Sequence, residues 1–554
     1  QTDIDFNYDV GARLTSVRSF GLGAASRLPD TTLSFTYNLA GSRNSLTDSV
    51  GTTVYNFDAA ERLTDLTNPK GENYSFNYDN GNRLTNQYRP GSSTALSFDN
   101  RNFVTSIVHS GAGTLASFNY QMDNIGNRTK ITTQAGDKDY SYDLNNQLTS
   151  ATNPESLAQN NPGPAPASLA QETFQYDEIA NRTADNGGNY SFDIKKQRLQ
   201  EDYRFFYFFD SNGNMTSKQA KFGMIGETTN FSYSSENQLT GFKVYTNGAD
   251  PNSLTKMVEY LYDALGRRVE KRVVDYTTND VAKTFTRRFA YDGQEINAEF
   301  DGSNNLLARY THSGLRTDDV LAVDVTQAGI DQKIAQFTGT FEYLKDAQGT
   351  ITDVSDASGN KLQHYVYSAF GTLLGIQDAN ANEITNNPIL NTAYTYTGRE
   401  KDSESGYYYY RARFYDSQSG RFLQKDPHPG AQEVAVSISN SYAYTINNPQ
   451  NFTDPTGKIR SGSWAAFRDT IVNTAVMAAI VVSIIAFPPL AFALLIDPAY
   501  GLTTLMMTFN LSLPGQLLNM AFTVRPARKE SFRGRTTVED SMFGALVGGG
   551  FTPG

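Results

Sequence analysis

The sequence contains no cysteine, only four histidines and a single tryptophan. The missing thiols exclude disulfide frameworks, thiolate zinc sites, iron–sulfur clusters and a cysteine nucleophile. Four scattered imidazoles leave metal catalysis short of ligands, so no metal and no cofactor are expected. Positive charge is also short: 47 Lys and Arg stand against 58 Asp and Glu, a net charge of −11. A basic surface that wraps nucleic acid is therefore not expected. Hydrophobic residues make up 39% of the chain, below the roughly 45 to 50% of an ordinary globular protein. The first residue is Gln1, with no charged n-region and apolar h-region after it. A leader already removed would give the same start, so the reading keeps export open. What is plentiful is aromatic: 33 Tyr and 34 Phe in 554 residues. A chain this long exceeds one ordinary domain of about 100 to 200 residues, so internal repeats are sought first.

Aligning the tyrosines exposes one. Phe6 to Asp9 is followed by Gly11, Ala12, Arg13, Leu14 and Thr15, and the order returns at Tyr55 to Asp58 with Glu61, Arg62, Leu63 and Thr64. It recurs at Phe76 to Asp79 with Arg83 and Leu84, at Tyr140 to Asp143 with Gln147 and Leu148, and at Tyr260 to Asp263 with Arg267 and Arg268. From Tyr37 through Phe57, Tyr78, Phe98, Tyr120 and Tyr142 the steps are 20, 21, 20, 22 and 22 residues. An aromatic-x-aromatic segment puts two rings on one face of a strand, and the closing Asp bonds its own backbone to start a turn. The residues that follow tolerate positive φ, so a hairpin precedes an Arg-Leu-Thr strand. One unit cannot bury its aromatic face alone; successive units must stack into a continuous sheet, with Arg and Asn rows on its other face or edge. The expected fold class is all-β, a YD-repeat spiral forming a shell.

Residues 151–173, with Pro154, Pro162, Pro164 and Pro166, interrupt the period as a loop. From Leu239 to Tyr394 the spacing loosens, with candidate strands at Phe289 to Asp292, Phe341 to Leu344 and Tyr365 to Tyr367. After Lys458 the composition changes. Residues 459–554 carry seven basic and five acidic side chains, and 470–496 and 498–524 are uncharged stretches of 27 residues each. About 20 apolar residues cross a bilayer core. The pair reads as an apolar helical hairpin with Asp497-Pro498 at its tip and basic residues outside both ends. Pro488-Pro489 interrupts the first segment, and Asn510, Pro514, Gln516 and Asn519 weaken the second.

The ordered run Gly406-Tyr407-Tyr408-Tyr409-Tyr410-Arg411-Ala412-Arg413-Phe414-Tyr415-Asp416, then Gly420-Arg421-Phe422-Leu423, Asp426-Pro427, Asn447-Asn448-Pro449 and Asp454-Pro455-Thr456-Gly457, is far more specific than any Tyr-Asp pair. With the repeats it resembles the Rhs or YD-repeat proteins, a family that includes bacterial polymorphic toxins, insecticidal toxin-complex C subunits and, distantly, teneurins. The resemblance spans residues 1–458. It implies a hollow β-cocoon over 1–390, an Rhs-associated core over 391–458 that plugs one end, and a variable C-terminal cargo over 459–554. It further implies self-cleavage by two Asp-Pro-x-Gly aspartates acting as an aspartic protease dyad. Carried over, the aspartates are Asp426 and Asp454 and the scissile bond is Lys458-Ile459. Two carboxylates brought close cannot both ionise easily, so one holds a proton while the other activates water. Arg421 is a candidate to hold one of them by a bidentate pair. The first motif departs from the pattern, with His428 and Pro429 before Gly430, and the two aspartates stand 28 positions apart. His428 reads as part of an exposed turn, Tyr407 to Tyr410 as packing, and His109, His312 and His364 as structural.

The tail has no His, no Cys and no phosphate loop of the Walker type. Its apolar length points to a membrane-active segment whose basic flanks favour anionic lipid. A charged tip such as Asp497 crosses a bilayer at a cost of about 2.5 to 3.5 kcal/mol, less when protonated, so insertion promoted by acid is expected. The sequence thus predicts an exported, secreted or cell-surface shell that cuts its own chain and holds its C-terminal segment inside. The chemistry is intramolecular peptide hydrolysis without an external substrate. A target membrane is the expected partner, and the resemblance adds an immunity protein or chaperone. The alternative is an uncut, teneurin-like adhesion protein anchored by its apolar end.

Overall fold

The computed structural model describes residues 2–21, 29–155, 171–193, 197–221, 227–248, 250–277, 283–427 and 440–458. The expected loop at 151–173 falls mostly on 156–170, and Ile459, Asp497, His428 and the whole apolar tail lie outside the described residues. Among the described residues no helix is long and apolar enough to cross a membrane, and no group of His, Cys, Asp and Glu is arranged to hold a metal.

The Tyr-Asp repeat dictates the local structure. At the first copy, Asp9 Oδ1 accepts from the backbone N–H of Gly11 at 2.8 Å and of Arg13 at 2.9 Å, while Oδ2 accepts from Arg13 Nε at 2.7 Å. The same set of bonds recurs at Asp58, Asp79 and Asp263. The residue before the Arg takes the left-handed conformation, at φ 59° for Ala12, 58° for Glu61 and 61° for Asn82, which closes a type I turn with the right-handed twist of a hairpin. The Arg is thus held in the turn, and the next strand begins at the Leu, as in Leu14–Gly21, Leu63–Thr67 and Leu84–Arg89. The expected Arg row lies at the turn edge. There Arg62 Nη1 reaches Asn82 of the next turn at 3.0 Å and its guanidinium lies 5.0 Å from the centre of the Tyr78 ring. The Tyr hydroxyl closes the repeat: Tyr37 donates to Leu14 O, Tyr78 to Leu63 O and Tyr262 to Leu239 O, at 2.6, 2.9 and 2.7 Å.

Within each sheet, strands pair antiparallel with their sequence neighbours. Among the described residues, seventeen strands from Thr2–Tyr8 to Gly188–Asn189 form one sheet, and sixteen from Ser191–Asp193 to Leu373–Asp378 form a second. The expected strands at Phe289, Phe341 and Tyr365 lie inside Phe285–Asp292, Gly339–Lys345 and Lys361–Tyr367. The two sheets are joined through side chains. Tyr74 donates to Glu342 at 2.9 Å, Arg309 Nε pairs with Asp48 at 2.7 Å, and His109 bonds Lys345 O at 2.9 Å.

A small four-stranded sheet, Glu400–Lys401, Tyr408–Tyr410, Arg413–Asp416 and Arg421–Phe422, forms the core. Tyr396, Tyr408, Tyr410, Tyr415, Phe422 and Tyr444 pack as one buried cluster, which gives that tyrosine run the packing role read from its sequence. Buried Arg268 of the second sheet pairs with Glu400 and Asp402, each at 2.7 Å. Asn447 Nδ2 donates to Gln147 Oε1 at 3.0 Å and to Ala180 O at 2.8 Å in the first sheet. The core is therefore seated on both sheets.

Candidate functional site

The tight turn Tyr410–Arg413 places two arginines at alternate positions, with Arg411 in the left-handed region at φ 57°. Arg413 is buried, and its guanidinium carbon lies 3.6 Å from the centre of the Phe422 ring. A cation held on an apolar ring needs anionic partners, and Arg413 has two: its Nη2 is 3.1 Å from Asp426 Oδ2 and 3.1 Å from Asp454 Oδ2. The two carboxylate oxygens are thus no farther apart than twice that distance. Burial draws the Arg413 guanidinium below its usual range, and Asp454 and Asp426 oppose that shift.

The segment that follows Asp454 lies along the same turn. Arg411 Nη1 donates to Pro455 O, the Ala412 N–H to Thr456 O at 3.3 Å, and Arg413 Nε to Gly457 O. Three successive carbonyls are thereby held by three successive residues, and the next carbonyl in line belongs to Lys458. The Lys458 N–H donates to Asp454 Oδ1 at 3.1 Å and to Thr456 Oγ1 at 3.2 Å. Gly457 has φ 67°, and a Cβ there would sit 2.3 Å from Tyr410 O, so only glycine lets the segment lie this close.

Asp426 and Asp454, paired from sequence, are thus brought to one guanidinium. Lys458 stands at the end of the aligned segment. Arg421 is bound elsewhere: its Nη2 donates to Gln197 O at 2.6 Å and to Asn440 at 3.3 Å, and its guanidinium lies over the Phe192 and Tyr442 rings. The arginine at the aspartates is Arg413, which sequence reasoning quoted but did not assign. Its signal was present: charged residues inside an aromatic-rich run that packs as core require polar partners brought from elsewhere. The three described histidines bond within the fold, with His109 between Thr94 and Lys345 O, His312 on Ile296 O, and His364 on Asp353 at 2.9 Å.

A teneurin YD-shell family model matches residues 1–163. The tRNA3(Ser)-specific nuclease WapA of Bacillus spizizenii is 30% identical over 294 residues, which is 51% of this chain and 11% of that protein. The double-stranded DNA deaminase toxin A of Burkholderia cenocepacia is 23% identical over 355 residues, 63% of this chain and 22% of that one. Among solved structures, the TcdB2-TccC3-Cdc42 crystal structure matches with a TM-score of 0.63 at 18% identity, covering 81% of this chain and 23% of that one. Repeat, sheet order and core together define a YD-repeat β-shell protein. The chain is similar to YD-repeat shell proteins, with the family model matching its first 163 residues.

Proposed function

We propose that this chain is a toxin-type shell that encloses its own C-terminal segment and cuts the chain after Lys458. The observation that carries the reading is the meeting of Asp426 and Asp454 on Arg413, beside a segment aligned up to the Lys458 carbonyl. Arg413 contributes one positive charge, so one carboxylate and one carboxylic acid make the trio neutral, the state that burial favours. In that state the carboxylate takes a proton from water as its oxygen attacks the Lys458 carbonyl carbon, and the acid gives its proton to the carbonyl oxygen. Collapse of the tetrahedral adduct breaks the bond to Ile459 N, which takes up a proton, leaving a Lys458 carboxylate and an Ile459 amine. The reaction runs once per chain. Relatives named as a nuclease, a deaminase toxin and a toxin subunit support a toxic role for the enclosed part, with a secreted protein as its form.

For this chain the enclosed part is residues 459–554, whose apolar composition supports action on a target membrane rather than on nucleic acid. Enclosure keeps such a segment from aggregating or entering the producer's own bilayer. An immunity protein or chaperone would fit that role. Amino-terminal sequencing of the smaller fragment tests the cut, with Ile459 expected first and any start outside the segment after Asp454 counting against it. Leakage of anionic liposomes by the isolated fragment, measured from pH 7 to pH 5, tests the tail. A rise toward pH 5 is expected from protonation of Asp497; no leakage at any pH removes the membrane reading while leaving the shell.

A further inference from the structure

Arg411 contacts the cut segment and also reaches the second sheet. Its Nη1 donates to Pro455 O, while its Nη2 lies 2.8 Å from Asp318 Oδ1, 3.1 Å from Glu295 Oε1 and 3.3 Å from Gln294 O. Glu295 begins a strand of the second sheet, Glu295–Asp301, and Asp318 shortly precedes the strand Val320–Val325. Asp318 is itself fixed, because Arg399 Nη1 pairs with it at 2.5 Å and the Asp318 N–H donates to Glu295 Oε1 at 3.0 Å. The Ala412 and Arg413 contacts to the segment come from the core alone; the contact to Pro455 is held by a guanidinium oriented by two carboxylates of the wall. A planar fork with donors on both sides suits this double task, and a lysine cannot span it.

We propose that Arg411 is a positioning residue that makes self-cleavage depend on the docking of the core against the second sheet. This rests on the cleavage reading above. Before Glu295 and Asp318 are in place, Arg411 has no fixed orientation, the Pro455 carbonyl is not held, and the Lys458 carbonyl does not settle at the aspartates. Cutting therefore waits for the wall, and the tail is not separated from an unfinished shell. This timing is useful to a protein whose cut segment is apolar.

The test uses the full chain, made by cell-free translation, with cleavage followed by denaturing electrophoresis over time. The variants are Arg411→Lys, Arg411→Ala and Glu295→Gln, each also built together with Asp454→Asn to measure melting of the uncut protein. The expected result is a cleavage rate about ten-fold or more slower in Arg411→Lys and Arg411→Ala. Glu295→Gln should be slowed less, because Asp318 still holds the fork. The rate should fall by the same factor at every pH from 5 to 8, since Arg411 does not touch the aspartates of the dyad. In the variants that also carry Asp454→Asn, melting should stay above the assay temperature. Wild-type rates in both Arg411 variants overturn the proposal while leaving self-cleavage intact. A slow rate explained by unfolding at the assay temperature also overturns it, assigning Arg411 a structural role only. An uncut wild type removes the cleavage reading and this inference together.

Discussion

The two long sheets are built from one kind of strand but are buried differently. In the first sheet the strand Thr52–Phe57 alternates, with Thr53 and Tyr55 buried and Thr52, Val54 and Asn56 exposed. In the second, every residue of Val320–Val325 is buried, as are six of the seven in Gly339–Lys345. The cause is that these strands of the second sheet are covered twice. Glu342 and Arg309 face the first sheet, through Tyr74 and Asp48, while their neighbours Tyr343 and Tyr310 face the segment around Thr392 and Tyr394. The turn pairs of the first sheet, such as Arg13 with Asp9, stand in water, whereas charges on these strands of the second sheet are sealed. The same residue types stabilise the two regions through different physics.

The largest expected effect comes from breaking a sealed charge. Arg268→Ala removes the guanidinium between Asp402 and Glu400 in a fully buried site, leaving Lys271 at 3.3 Å and Arg399 at 3.9 Å as their cationic partners, and breaking a buried pair costs about 3 to 5 kcal/mol. Chemical denaturation should show that loss as a lower midpoint. Arg309→Ala, which strips Asp48 of its partner between the sheets, should come close to it.

Next is a pH effect confined to the contacts between the sheets. Burial pushes the Glu342 carboxyl up to about 8, against the opposing pull of Arg89 and Tyr74, and pushes Glu172, bonded to the Ala369 amide, up to about 7. Both lie above the ordinary glutamate value of about 4.3. The folded state therefore binds these protons more tightly than the unfolded one. Their contribution is complete below that ordinary value and is lost as pH rises through 7 to 8. His364 acts in the same direction: burial lowers it, but Asp353 and Glu155 prevail and hold it at about 9. Glu155, held at about 2 chiefly by His364 and Lys138 against the cost of burial, has the opposite sign and loses its contribution only in acid. The melting temperature should fall between pH 6 and pH 9, and Glu342→Gln with Glu172→Gln should flatten the slope. A slope unchanged in the double variant would mean that these carboxyls do not carry it.

A single repeat bond is smaller. Tyr78→Phe removes the hydroxyl bond to Leu63 O and should cost about 1 kcal/mol. The smallest effect belongs to the exposed turn pair. Arg13→Ala removes an ion pair that stands in solvent, and no measurable shift in midpoint is expected. A large loss there would break the contrast between the two sheets.

That contrast also marks what was legible. Tyr78, Asp79 and Arg83 could be read because the partners that shape the turn lie within about one repeat. The pair of Arg309 with Asp48 spans 261 positions, and no local pattern announces a contact of that kind. The twofold covering of strands such as Val320–Val325 was hidden for the same reason: a strand reading cannot say what lies across each face. At the candidate site, Asp426 and Asp454 were marked by the Asp-Pro pairs and the resemblance. Arg413 was not assigned, since its part depends on the turn that sets its guanidinium between them, and Arg421 stood nearer Asp426 in sequence. The placement of the Arg row in the turns, rather than on the following strand, needed the bonds of Asp9 and its counterparts.

Asp426 and Asp454 are proposed to cut the chain after Lys458. Denaturing intact mass on wild type, Asp426→Asn and Asp454→Asn tests it most directly, with samples kept cold and neutral because Asp-Pro bonds break chemically in hot acid. Pieces of 458 and 96 residues are expected in wild type and one chain of 554 residues in both variants. A single uncut species in wild type would contradict it, leaving a static container or a membrane-anchored adhesion protein.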